Sequence, residues 1–164
     1  MNHLVRTACF LMITLAAVAI GNSKGADTVD AKTKQKDAAI VWKKFSSELL
    51  EQETANGKSV MLVFVADWCG PCQVYLKTVI NTAEVRKLMA EKRVVPIMAD
   101  LTEASPEESA ALKKFGAGAI PATVIFSADN PKKPQVFLGM VNQKKLVGLL
   151  KNIVPSMRDP ANKK

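Results

Sequence analysis

Hydrophobic residues in the middle of the chain form short continuous runs separated by stripes at helical spacing. The run Ser59–Ala66 contains seven consecutive apolar residues, which predicts a strand buried on both faces at the centre of a covered sheet. Apolar residues before it recur every three to four positions, which predicts a helix over residues 40–54. Shorter apolar runs predict three further strands, over residues 93–99, 121–126 and 135–139.

Helix-start signals lie between and after these strands. In a capping box, an N-cap side chain and a Glu three residues later each bond a backbone N–H group of the first turn. Asn81 with Glu84 and Ser105 with Glu108 have this spacing, so each pair predicts a helix start. A last amphipathic helix is predicted from Asn142.

The resulting order is helix, strand, helix, strand, helix, strand, strand, helix. Helices between the early strands imply parallel pairing, and the short turn at residues 129–131 implies a hairpin between the last two strands. Pro96 is unexpected in a strand, because proline cannot donate a ladder hydrogen bond. The predicted fold class is α/β, a central mixed β-sheet flanked by helices on both faces.

The N-terminal residues differ from the rest of the chain. Arg6 precedes the apolar run Ala8–Ile20, which is too short to span a bilayer comfortably but fits the apolar region of a secretory signal. We expect export with cleavage after Gly25; cleavage after Ala19 competes, and retention as a membrane anchor is the alternative. The predicted organisation is a signal peptide at 1–25, a flexible leader at 26–37, a folded domain at 38–155 and a disordered basic tail at 156–164.

The chain is basic, with a formal net charge of +8. Removal of residues 1–25 takes away Arg6 and Lys24, which leaves 21 basic and 15 acidic residues and a net charge of +6. The lysines are dispersed, and aromatic residues make up only 5% of the chain. This composition favours a solvated surface over a nucleic-acid-binding face.

Signal cleavage would also remove Cys9 and the single histidine, His3, which leaves Cys69 and Cys72. A zinc site needs two more Cys or His ligands, so a metal site in a monomer is not expected, although a dimer could supply four cysteines. A purely structural disulfide is also disfavoured, because so short a loop removes little entropy from the unfolded chain. Electron transfer is the favoured interpretation.

The segment "VADWCGPCQV" supports that chemistry. A helix that begins at Cys69 would place its sulfur near the unpaired N–H groups of the first turn, which favour the thiolate. Cys72 would follow on the same face, nearly one turn later. Pro71 suits the first turn, and Gly70 leaves space for a substrate sulfur to approach.

The motif "ADWCGPC", with "GAIPATVIF" downstream, resembles the thioredoxin superfamily over about Ile40–Val154. Within it, the chain is similar to exported thioredoxins and to the C-terminal periplasmic domain of DsbD-type proteins. The resemblance implies that Cys69 attacks a substrate disulfide and that Cys72 resolves the mixed disulfide. It also implies a cis bond before Pro121.

By the same resemblance, the backbone of Ile120 and Pro121 would contact an incoming peptide, together with Gly70 and Pro71. Trp68 would either contact substrate or only cover the core. Many relatives carry an acid six residues before the first cysteine, where this chain has Val63. We therefore expect slower resolution by Cys72.

Two acids close in sequence are candidates for the proton transfer that the missing acid would serve. These are Asp67, next to the motif, and Asp100, at the end of the next strand; either could instead be a solvated surface acid.

The sequence thus predicts an exported thiol:disulfide oxidoreductase, acting as a reductase or electron carrier through Cys69 and Cys72. Its redox-active disulfide would be the only redox group, with no metal or other cofactor. Expected partners are protein thiol or disulfide substrates and a DsbD-like membrane electron donor, and the expected state is a monomer. Two alternatives stay open: a thioredoxin-fold binding module with incidental redox activity, and a dithiol metal carrier.

Overall fold

The computed structural model describes residues 39–156, which form one five-stranded sheet with helices. In chain order the elements are β1 Lys43–Lys44, α1 Ser47–Ala55, β2 Val60–Val65, α2 Gly70–Tyr75, a π-helical turn Leu76–Ile80, α3 Ala83–Lys92, β3 Val95–Asp100, α4 Pro106–Lys114, β4 Ala122–Phe126, β5 Gln135–Leu138 and α5 Gln143–Asn152.

The sheet has the strand order β1-β3-β2-β4-β5. β1, β3 and β2 are parallel, because helices connect them, whereas β4 runs antiparallel to β2 and forms a hairpin with β5. The predicted mixed α/β sheet and the predicted hairpin are confirmed.

The core lies on both faces of β2, whose six residues are all buried. On one face, Phe64 packs against Phe45 and Phe115, with ring centroids 6.2 Å apart in both pairs. On the other face, Val63 lies opposite Thr123 of β4, whose hydroxyl contacts Tyr75 of α2. The continuous apolar run therefore forms a two-sided strand because helices cover both faces.

The predicted helix over residues 40–54 is wrong in its first part. Lys43 and Lys44 form the short edge strand β1, and α1 begins only at Ser47. The Ser46 side chain accepts a hydrogen bond from the N–H of Leu49, which sets this helix start. In the segment before it, Phe45 is buried and Ile40 and Trp42 are partly buried, whereas Val41 is exposed, so the apolar spacing there does not mark one face of a helix.

Two local predictions have different outcomes. The capping box of Asn81 with Glu84 is wrong: Thr82 is the N-cap of α3 and makes no side-chain cap bond. The strand that contains Pro96 is confirmed as β3, Val95–Asp100. β1 pairs with β3 only from Ile97 onward, so Pro96 has a strand neighbour on the β2 side alone, where a proline is tolerated.

The later helix starts are confirmed. Ser105 and Glu108 form a complete capping box at α4, and the Asn142 side chain accepts from the N–H of Lys145 at α5. The predicted signal peptide and leader, at residues 1–25 and 26–37, and nearly all of the predicted tail lie outside the described residues. Between residues 39 and 156, no helix is both long and apolar enough to span a membrane.

Candidate redox site

Cys69 and Cys72 form a disulfide at the start of α2, directly beyond the carboxyl end of β2. Cys69 is the N-cap residue, and its Sγ accepts a hydrogen bond from the N–H of Cys72 at 3.2 Å. Pro71 occupies the first turn, where its missing N–H group has no intrahelical partner to lose. The chain therefore begins this helix with a sulfur at the position that N-cap oxygens usually take.

The two sulfur-bearing residues differ in exposure. Cys69 is 6% exposed, whereas Cys72 is fully buried. Gly70 and Pro71 between them are exposed, and a Cβ atom at Gly70 would meet no atom within 4 Å. Of the two sulfur-bearing residues, only Cys69 therefore keeps any exposed surface, and the exposed residues Gly70 and Pro71 lie next to it.

The peptide bond between Ile120 and Pro121 is cis, as the resemblance to the thioredoxin superfamily implies. Pro121 is buried and Ile120 is partly exposed. The carbonyl oxygen of Pro121 accepts a hydrogen bond of 2.8 Å from the N–H of Gly139, which joins the start of β4 to the end of β5. The loop before β4 is therefore held by the neighbouring strand.

A buried pair of hydroxyl groups connects the disulfide helix to β4. Tyr75 lies three residues after Cys72, and its Oη is 3.0 Å from Thr123 Oγ1; both residues are fully buried. Burial raises the pKa of Tyr75, although hydrogen bonds with Thr123 and the Val141 backbone act in the opposite direction. Sequence analysis missed this pair. The only signal for it was a hydroxyl-bearing residue, such as Thr123, within an otherwise apolar segment.

Trp68 is 68% exposed, so most of its side chain faces solvent. Asp67 and Asp100, the candidates for proton transfer, are both exposed, and both form a hydrogen bond with Thr102. Thr102 Oγ1 donates to the carboxylate of Asp100 and accepts from the N–H of Asp67 at 2.8 Å.

Thr102 therefore links Asp100, at the end of β3, to the backbone of Asp67, which directly precedes Trp68. Side-chain and backbone hydrogen bonds from Thr102 lower the pKa of Asp100. Sequence analysis also missed Thr102, although its place two residues after Asp100 permits this local bond.

Val63 is fully buried in β2, with Met98 and Thr123 as its register neighbours. The position therefore presents a hydrocarbon side chain on the face that also holds Tyr75. Within residues 39–156, no group of three or more His, Cys, Asp or Glu side chains is arranged to hold a metal ion.

The sequence matches the Thioredoxin-like family over residues 41–128, more than half of the chain. Curated relatives include the thiol:disulfide interchange proteins DsbD of Ralstonia nicotianae, 36% identical over 92 residues, and of Haemophilus ducreyi, 35% identical over 85 residues. These alignments cover 56% and 51% of this chain but only 15% and 14% of the two relatives.

Two solved structures show the same fold. The C-terminal domain of DsbD from Neisseria meningitidis, in the oxidised form, has a TM-score of 0.54 at 24% identity, over 69% of this chain and 99% of that one. Thioredoxin from Malassezia sympodialis has a TM-score of 0.54 at 23% identity, over 71% and 93%. With the matched family and a Cys-Gly-Pro-Cys disulfide at the start of α2, these likenesses establish that the chain belongs to the thioredoxin-like family.

Proposed function

We propose that this protein is a thiol–disulfide oxidoreductase that transfers electrons through Cys69 and Cys72, in the direction of substrate reduction. The observation that carries the proposal is the disulfide at the N-cap of α2, in which Cys69 is 6% exposed and Cys72 is fully buried. In the reduced protein, the N–H of Cys72 would stabilise a thiolate on Cys69 by the hydrogen bond it already makes to that sulfur.

The exchange has two steps that balance without a cofactor. The Cys69 thiolate attacks one sulfur of a substrate disulfide, forming a mixed disulfide and releasing the other substrate sulfur as a thiolate. Cys72, after losing its proton, attacks the Cys69 sulfur, which releases the second substrate thiolate and closes the disulfide. Two electrons pass to the substrate, and the Cys69–Cys72 pair is oxidised.

Resolution requires removal of the Cys72 proton in a buried setting. Val63 provides no proton acceptor on that face, and Asp67 and Asp100 lie at the surface. We therefore assign proton removal to solvent that enters once the mixed disulfide opens the site, which makes the second step the slower one. Val63→Asp should accelerate this step and add an ionisation to its pH–rate profile; an unchanged profile would contradict the assignment.

The proposal includes export of the chain after removal of residues 1–25, or retention by an uncleaved anchor. Gly-Pro between the cysteines is the pair found in reducing thioredoxins, and the relatives named DsbD are thiol:disulfide interchange proteins. An exported reductant needs a supply of electrons, so a DsbD-like membrane protein is the proposed donor. Protein disulfides are the proposed substrates, and the proposed working state is a monomer.

Single-cysteine variants test the proposal. Cys72→Ser should accumulate a mixed disulfide with a protein substrate, visible as a band that dithiothreitol removes, because the resolving thiol is gone. Cys69→Ser should lose insulin reduction and form no such band. Retention of biological function by Cys69→Ser would instead establish a binding module, and stoichiometric copper(I) or zinc on the reduced protein would establish a metal carrier.

The reduction potential of the pair, measured against glutathione, tests the direction. A value near −270 mV, roughly that of reducing thioredoxins, is expected, whereas a value near −120 mV, about that of the oxidant DsbA, would reverse the direction.

A further inference from the structure

β5 forms an outer edge of the sheet with an unusual distribution of apolar side chains. Among the described residues β5 pairs only with β4, so its other side has no strand. Val136, Leu138 and Met140 are 37%, 60% and 54% exposed, and they alternate along β5 and its extension. Isolated exposed apolar residues are common on proteins, but three at every second position form one continuous row.

The backbone groups of this row also face outward. The N–H of Gly139 donates to Pro121, so these two residues form a hydrogen-bonded pair of the ladder. Along an antiparallel ladder such pairs alternate with non-hydrogen-bonded pairs, whose N–H and C=O groups point away from each other. With Ala122 opposite Leu138 and Val124 opposite Val136, the N–H and C=O groups of Val136 and Leu138 therefore point away from β4. The exposed apolar side chains and the unpaired backbone groups belong to the same residues.

A groove of about 350 Å³ lies along this edge, lined by residues of β5 and of the segment that leads into α5. Its surroundings are positively charged. Residues 127–156 contain five lysines and one acidic residue, Asp129; four of the lysines flank β5, and they are Lys132, Lys133, Lys144 and Lys145. Lys145 lies with its Nζ 4.9 Å from the ring centroid of Phe137 in β5.

We propose that the β5 edge is a docking site for an extended acidic segment of a partner protein, which adds to the sheet as a sixth strand. The backbone of Val136 and Leu138 would bond the added strand, and apolar residues at alternate positions of that strand would cover the exposed row. Acidic residues between them would face the lysines. A second copy of this chain is disfavoured, because antiparallel pairing of two β5 edges would bring lysines against lysines.

The site goes beyond the proposed redox function, since docking needs no cysteine. It adjoins that function in space, because Gly139 at the end of β5 bonds Pro121 directly. The other edge of the sheet, β1, is only two residues long and offers no comparable row. Docking at β5 would thus hold a partner next to the loop of Ile120 and Pro121, the proposed peptide contact.

A fluorescein-labelled peptide, Glu-Val-Glu-Val-Glu-Val-Glu, tests the proposal with the full chain by fluorescence anisotropy. Saturable binding that weakens as salt rises is expected. Leu138→Gln should weaken binding about tenfold, because the row loses its most exposed side chain. Val41→Gln, an exposed apolar position near the opposite edge, is the matched control and should leave binding unchanged.

Charge is tested separately. The double variant Lys132→Gln, Lys133→Gln should weaken binding and flatten its salt dependence, whereas Lys113→Gln with Lys114→Gln on α4 should not. A peptide with Lys in place of each Glu should not bind. Equal binding of the two peptides would overturn the assignment of an acidic partner.

Hydrogen exchange locates the site. The amides of Val136 and Leu138 should exchange freely in the free protein and at least about tenfold more slowly with saturating peptide, because an added strand accepts their hydrogen bonds. The amide of Phe137 faces β4 and should change little.

Three results would overturn the proposal. Protection confined to residues 120–122 would place the peptide at the loop of Ile120 and Pro121 and not at β5. Protection of Val136 and Leu138 in the monomeric free chain would show that a segment outside residues 39–156 already covers the edge. A concentration-dependent dimer that Leu138→Gln abolishes would show that a second copy is the occupant. Reduction of oxidised glutathione by Leu138→Gln should remain at the parent rate, which separates this site from the exchange reaction.

Discussion

The buried hydroxyl pair of Tyr75 and Thr123 provides a quantitative test of how the disulfide helix is held. Tyr75→Phe removes one hydroxyl and leaves Thr123 Oγ1, fully buried, without that partner; the Val141 backbone also loses its bond to the phenol. A buried polar group left unsatisfied costs about 1–3 kcal/mol. We therefore expect Tyr75→Phe to lower the free energy of unfolding by about 2 kcal/mol.

Thr123→Val should cost less, about 1 kcal/mol, because Tyr75 keeps its bond with the Val141 backbone and the side chain keeps nearly the same volume. The double variant should cost less than the sum of the two single variants by about 1 kcal/mol. It removes both hydroxyls, so neither is left buried without its partner. Urea unfolding of the oxidised proteins, monitored by circular dichroism, measures all three differences. The m-value should stay constant across the set.

Additive costs within about 0.3 kcal/mol would refute the reasoning, because they would show that the two hydroxyls do not stabilise one another. Because the pair joins α2, which carries Cys72, to β4, which follows Pro121, insulin reduction should also slow in both single variants. Phe45→Leu is a suitable control, since it perturbs the opposite face of β2. It should destabilise the fold while leaving the coupling between Tyr75 and Thr123 unchanged.

Three further changes test separate parts of the structure. Thr102→Val should raise the pKa of Asp100 towards its ordinary value, measured by carbon-detected NMR titration, while Thr102→Ser keeps it low. Burial opposes ionisation of Glu53, but hydrogen bonds and charges from two lysines outweigh it and lower its pKa below 4.5. Stability from this group is therefore present above about pH 4.5 and lost as pH falls through the folded-state pKa; Glu53→Gln should cost about 1–2 kcal/mol at pH 7 and less in acid. Ser105→Ala should cost about 1 kcal/mol in urea unfolding, because it removes the cap of α4.

The parts of the fold that follow from local chemistry could be predicted from sequence. The run before Cys69 is buried on both faces because helices cover both, and the capping box at Ser105 depends on residues only three apart. Residues 40–46 could not be predicted, because apolar spacing over so short a stretch fits both a helix and an extended edge segment. Pairing with β3 decides between them, and that contact is remote in sequence.

The candidate site shows the same division. The positions of Cys69 and Cys72 follow from a strand that leads directly into a helix, so they could be predicted. Thr123 could not, because its partner Tyr75 lies 48 residues away and only the register of β2 with β4 brings them together. Thr102 is local to Asp100, but its bond to the N–H of Asp67 depends on the adjacency of β2 and β3.

The last described residue, Ser156, is fastened at the start of β2. Its hydroxyl accepts from the N–H of Ser59 and donates to the carbonyl of Arg93. The disulfide follows the other end of the same strand, about 20 Å away for six residues at roughly 3.3 Å each. An attachment made at Ser156 itself would therefore lie at the end of β2 opposite the disulfide, away from the sulfur pair.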